Sequence, residues 1–162
     1  MEAFERELLT LLPRLRRFAR SLARDAADAD DLTQVSLERA LKSRSQWQQG
    51  TRMDSWMMKI MRNCWIDEVR SRARRANAFG SDDARAVLAA AEPSGADRAA
   101  DADAIDRAMN RLPPEQREAV ALVLVEGLSY REAAELLDLP VGTLTSRLTR
   151  GRQALARTLE AA

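Results

Sequence analysis

Two stretches of this chain carry residue types and spacings suited to gripping nucleic acid. From 127 to 159 the sequence runs GLSYREAAELLDLPVGTLTSRLTRGRQALARTL. Ser129 and Glu132 have the spacing of a capping box, in which the hydroxyl accepts from the Glu132 amide and the carboxylate returns to the Ser129 amide. Ala133, Leu136 and Leu137 give the first helix a core face, the DLP segment turns the chain, and Val141 opens a second helix, so the pattern predicts a helix-turn-helix. In that second helix Val141, Leu144, Leu148, Leu155 and Leu159 share one face, and Gly151 permits close approach. At 100° per residue Ser146, Thr149, Arg150, Gln153 and Arg157 point away from the leucines, with Thr143, Thr145 and Arg147 on the flanks. Such a surface fits a DNA major groove, where arginine reads guanine and hydroxyls reach bases or phosphates.

The second stretch is RMDSWMMKIMRNCWIDEVRSRARR, 52 to 75. Met53, Trp56, Met57, Ile60 and Cys64 form one stripe, while Met58, Trp65, Ile66 and Val69 lie elsewhere among Lys59, Arg62, Arg70, Arg72, Arg74 and Arg75. A helix apolar all round is either central to its domain or covered by a partner. Two readings stand side by side: a core helix with a basic end, and a surface that holds single-stranded nucleic acid by stacking and phosphate contacts.

Other chemistry finds little material. Cys64 is the only cysteine and histidine is absent, so there is no intrachain disulfide, no cysteine zinc site and no imidazole base. Asp25, Asp28, Asp30 and Asp31 read as helix capping rather than a metal or acid-base site. No glycine spacing matches a phosphate-binding loop, and no nucleophile is accompanied by a base. The expectation is a non-enzyme without cofactor or metal. No uncharged apolar run approaches the ~20 residues that cross a bilayer, and the acidic first ten residues do not read as a secretory signal. A soluble, cytoplasmic protein is expected.

The elements that must position these stretches follow from charge and composition. Residues 1 to 76 hold 16 basic and 11 acidic groups; 77 to 105 hold 2 and 6; 106 to 162 hold 8 of each. Within the last third, 106 to 138 carries four basic and seven acidic residues, whereas 139 to 159 has four arginines and no acid. Basic stretches set apart by acidic ones suggest local anion binding. From 77 to 103 the chain is rich in Ala, Asp, Ser, Gly and Pro and reads as a linker, able to stretch to ~90 Å, so that two lobes act far apart. The remainder reads as helix throughout: about 4 to 23, kinked or restarted at Pro13; 28 to 43; 53 to 74; a start near Ala104; and 115 to 126, 130 to 137 and 141 to 159. Each lobe is near the lower limit for a self-sufficient core, so docking onto a partner is expected to stabilise both.

ADADDLTQVSLERAL at 27 to 41, SWMMKIMRNCWIDEVRSR at 55 to 72 and LPPEQREAVALVLVEGLSYREAAELLDLPVGTLTSRLTRGRQAL at 112 to 155 together resemble bacterial RNA polymerase sigma factors of the extracytoplasmic-function (ECF) group of the sigma-70 family. The resemblance implies an all-α fold of two small helical domains joined by a flexible linker. A domain at 1–76 would bind core polymerase and melt the minus-10 element, 77–103 would be the linker, and a helix-turn-helix domain at 104–162 would read the minus-35 element as duplex. It also implies that Asp31, Leu32, Gln34, Glu38 and Leu41 face the clamp helices of the polymerase largest subunit. The loop from Trp47 to Asp54 with Trp56, Lys59 and Asn63 would cradle an unstacked minus-10 base. Thr143, Ser146, Arg147, Thr149 and Arg150 would face the minus-35 element, and an anti-sigma factor is a further implied partner. Val35, Thr145 and Gly151 depart from the family pattern. Two rival functions remain: a sigma-like decoy or adaptor that binds an anti-sigma protein without starting transcription, and a dimeric helix-turn-helix repressor.

Overall fold

The computed structural model describes residues 2–78 and 100–161, with side chains of the second segment from 103 onward. Among them there are seven α-helices and no strand. In the first lobe α1 (Ala3–Ala23), α2 (Ala26–Lys42) and α3 (Met53–Ala78) pack pairwise against one another. In the second, α4 (Ala100–Arg111), α5 (Pro114–Val120), α6 (Tyr130–Leu137) and α7 (Val141–Glu160) surround a π-helical segment, Ala121–Val125.

Local chemistry explains most boundaries. Asp25 caps α2, its carboxylate accepting from the Asp28 amide at 3.3 Å. Pro114 stands at the first position of α5, where a missing N–H costs nothing. Pro13 neither ends nor restarts α1, which is one helix through that position. The ends of the expected linker are also helical, since Asn77 and Ala78 close α3 and α4 begins at Ala100; the body of the linker lies outside the described residues.

The first lobe buries Leu15 and Phe18 of α1 against Met53, Met57, Met58 and Met61 of α3, and methionine's unbranched thioether fills irregular gaps between three helices of unequal length. Leu122, Val120, Leu144 and Leu148 centre the second lobe. Gly151 lets α7 meet α5: a Cβ there would sit 2.7 Å from Val120 Cγ2. Val141 and Leu159, expected on the apolar face of α7, are 46% and 41% exposed, so the buried stripe is shorter than the leucine pattern implied.

The lobes are not apart. Helix α1 packs on α5 and the π segment, and α3 packs on α6. Ion pairs and hydrogen bonds join the two lobes along these contacts, Arg14 and Arg17 with Glu126 and Lys59 with Asp138 among them.

Candidate nucleic-acid interface

The helix-turn-helix forms as the sequence suggested, with one difference. Ser129 caps α6, its Oγ accepting from the Glu132 amide at 3.1 Å. The Glu132 carboxylate does not return to the Ser129 amide; it accepts from the Ser129 hydroxyl at 3.1 Å and from the Arg52 guanidinium of the first lobe. Asp138 then ends α6 in the left-handed region (φ 55°), which turns the chain into α7. On α7, Ser146, Thr149, Arg150, Gln153 and Arg157 are exposed, with Thr143 and Arg147 half-buried beside them. Leu144 and Leu148 fix the opposite face at 0% and 1% exposure, so the helix cannot rotate without losing its core.

The basic helix α3 is a core helix of its lobe that also keeps one polar and aromatic face at the surface. Its Met53, Met57, Met58, Met61 and Cys64 are core, whereas Trp56 and Lys59 are half-buried and Asn63 is exposed, at a spacing that places these three on one face. Phe4 holds the entrance to that helix: its ring lies 5.6 Å from Trp47 and edge-on to Trp56 at 6.0 Å, with the Arg44 guanidinium above it at 5.6 Å. Asp54, in the first turn of α3, accepts from Arg52, from the Ser55 amide at 2.8 Å and from Arg14 at 3.1 Å. Burial pushes the Asp54 carboxyl up, but those donors outweigh it and hold it below the usual carboxylate range.

Lys59 faces the second lobe instead of open solvent. Its Nζ donates to Leu136 O and to Asp138 Oδ2, both at 2.9 Å, and this hydrogen bond draws the Asp138 carboxyl below its ordinary value.

The five residues of α2 separate by burial. Asp31, Gln34, Glu38 and Leu41 are exposed, but Leu32 is buried at 5% and belongs to the core under them. Asp31, Leu32, Gln34 and Glu38 line one groove of about 410 Å³ between α2 and α3, completed by Val35, Trp65, Glu68 and Arg72. Arg72 sets its width, donating from two nitrogens to the two oxygens of Asp28 at 2.9 Å each, to Glu68 at 2.9 Å, and lying 5.5 Å over the Trp65 ring. Asp28, read from sequence as part of a capping cluster, is therefore mainly the anchor of that arginine. No sequence pattern singled out Arg14 and Arg17, which reach Glu126 in the other lobe; the signal was only that α1 carries unpaired-looking cations on a face next to its leucines.

Two family descriptions match the chain: Sigma-70 region 2 over residues 8–75, and Sigma-70, region 4 over 102–155. The ECF RNA polymerase sigma factor EcfG of Rhodopseudomonas palustris is 35% identical over 153 residues, covering 94% of this chain and 83% of the relative. This chain belongs to the sigma-70 family, in its ECF group. Another relative, the RNA polymerase sigma factor CarQ of Myxococcus xanthus, is 33% identical and covers 98% and 90% of the two chains. Among solved structures, the sigma factor RpoE in complex with the anti-sigma factor NepR from Bartonella quintana superposes with a TM-score of 0.84 at 31% identity, covering 99% of this chain and 98% of that one. This sigma factor is thus an all-α, two-domain protein of transcription initiation and promoter recognition, and among its described residues no helix is long and apolar enough to cross a membrane.

Proposed function

We propose that this sigma factor docks onto core RNA polymerase through the α2–α3 groove and divides promoter recognition between its lobes. The carrying observation is that Asp31, Leu32, Gln34 and Glu38, singled out on α2 by the family resemblance, line one groove with polar walls and an apolar base. That shape suits a helical partner such as the clamp helices of the largest subunit, which would bury apolar residues against Leu32 and pair basic ones with Asp31 and Glu38. Trp56, Lys59 and Asn63 take an unstacked minus-10 base, and Ser146, Arg147, Thr149 and Arg150, with Thr143, meet the minus-35 duplex. The functional domains are 1–76 and 104–162, with 77–103 as linker. The protein works in the cytoplasm, where its polymerase is, and the polymerase supplies the catalysis. An anti-sigma factor is a further partner, supported by the relative whose solved structure contains one.

Charge reversal Asp31→Lys combined with Gln34→Ala tests the docking face, since both side chains are exposed and neither supports the core. The double variant should keep its helical circular dichroism and lose most co-elution with core polymerase. Undiminished co-elution would place the polymerase contact elsewhere.

A further inference from the structure

Four carboxylates line the α2–α3 groove, Asp28, Asp31 and Glu38 from α2 and Glu68 from α3, and they are not equally free. Asp28 gives both oxygens to the Arg72 guanidinium at 2.9 Å each, a bidentate pair with Arg72 27% and Asp28 25% exposed. Glu68 accepts from Arg72 at 2.9 Å and from Arg75 at 3.3 Å. Asp31 is exposed and pairs with no cation among the described residues, and Glu38 accepts only from the Gln34 amide, at 3.5 Å.

What Arg72 leaves free has a pattern. Asp31, Val35 and Glu38 follow one another at spacings of four and three residues, which puts them on one side of α2. Val35 is 46% exposed. Two unpaired acids about 10 Å apart along the helix, with a valine between them, fit a partner helix that presents a basic, an apolar and a basic residue over two turns. We infer that Arg72 is a positioning residue of the docking groove: by occupying Asp28 it withdraws the acid one turn before Asp31 from the contact, and so fixes the register in which a basic helix seats. This deepens the docking reading and rests on it.

The geometry makes arginine suited to this task. Its guanidinium spans Asp28 on α2 and Glu68 on α3 while lying 5.5 Å over the Trp65 ring, whereas a lysine ammonium is a point charge without the planar fork. Without Arg72, Glu68 keeps Arg75, but Asp28 has no cation among the described residues. A freed Asp28 stands three residues from Asp31 on the same groove, so the partner's cation pairs with either and Asp31 ceases to be decisive. Glu38, about 15 Å along α2 from Asp28, keeps its role. A mere brace between α2 and α3 would act differently, since its loss would weaken docking through every acid alike.

The test uses the full chain and purified core RNA polymerase, with affinities read by competition against an N-terminally fluorescein-labelled parent chain. Asp31→Asn and Glu38→Gln are each made in the parent and in Arg72→Gln. In the parent each should weaken binding about threefold, within the range of an exposed ion pair. In Arg72→Gln, Asp31→Asn should cost less than about 1.5-fold, while Glu38→Gln keeps its full cost. Adding Asp28→Asn to Arg72→Gln should restore the dependence on Asp31, a rescue that no loss of bracing would give. Equal costs for Asp31→Asn with and without Arg72 would overturn the inference, as would a parallel fall in the cost of Glu38→Gln, which marks a general loosening of the groove. Circular dichroism checks that Arg72→Gln is folded; should it not be, the same comparison in Arg72→Lys, which lacks the bidentate grip on Asp28, decides. If neither Asp31→Asn nor Glu38→Gln weakens binding in the parent, the docking reading itself fails and takes this inference with it.

Discussion

On the proposed minus-35 face of α7, reading and gripping should separate residue by residue. Arg150 is exposed in the first half of the helix and Arg157 lies two turns later on the same polar side. As a base-edge contact, Arg150→Ala should cost about 1–3 kcal/mol on the preferred minus-35 duplex and relax preference at one position. As a phosphate contact, Arg157→Ala should weaken all sequences alike and lower the salt slope by about one unit. Binding to a randomised duplex library at two salt concentrations reads both. A uniform loss for Arg150→Ala would make it a backbone anchor and move specificity to Ser146 and Thr149. These outward residues were legible in the sequence because leucines at helical spacing define the opposite face. Leu32 and Lys59 show the limit: a linear motif names a position but not whether the side chain ends in the core, as Leu32 does, or against another lobe, as Lys59 does.

Among the elements, α7 depends on its approach to α5. Gly151→Val places a branched side chain where Val120 Cγ2 and Gln116 O already stand within 3.4 Å of an added Cβ, and valine's stiff χ1 leaves no easy escape. The change should destabilise the protein by about 1–3 kcal/mol, the usual range for overpacking. Urea unfolding followed by circular dichroism checks this, and an unshifted midpoint would mean that α5 and α7 separate freely. Helices were the most legible level of the sequence, since Asp25, Ser129 and Pro114 mark where three of them start by local chemistry. The π segment left no such mark. ALVLV reads as ordinary helix, and its wider turn is visible only once Glu126 is seen facing α1.

At the scale of the molecule, ion pairs join residues 112 and 109 positions apart, Arg14 and Arg17 to Glu126, and no periodicity announces them. The charge division between 1–76 and 106–138 held the hint, but which cation meets which acid is decided by packing. Asp54 ties Arg14 and Arg52 together beside this junction, and its folded value lies below the ordinary ~3.9. A depressed carboxylate contributes stability that is fully present above its unfolded value and lost as pH falls through its folded value. The stability difference between the parent and Asp54→Asn, about 1–3 kcal/mol for charged hydrogen bonds, should therefore be constant from about pH 5 to 8 and shrink below about pH 4. Urea midpoints measured across that range check it; a difference that changed between pH 6 and 8 would assign the effect to another group.

The central claim is that these two lobes together direct polymerase to promoters. Run-off transcription with purified core enzyme, on templates randomised at the minus-35 and minus-10 positions, tests it most directly. Addition of the purified chain should yield transcripts from a subset of templates that share one short motif at each position, and Lys59→Ala and Arg150→Ala should each reduce them. Transcript levels no higher than those of core enzyme alone would contradict it.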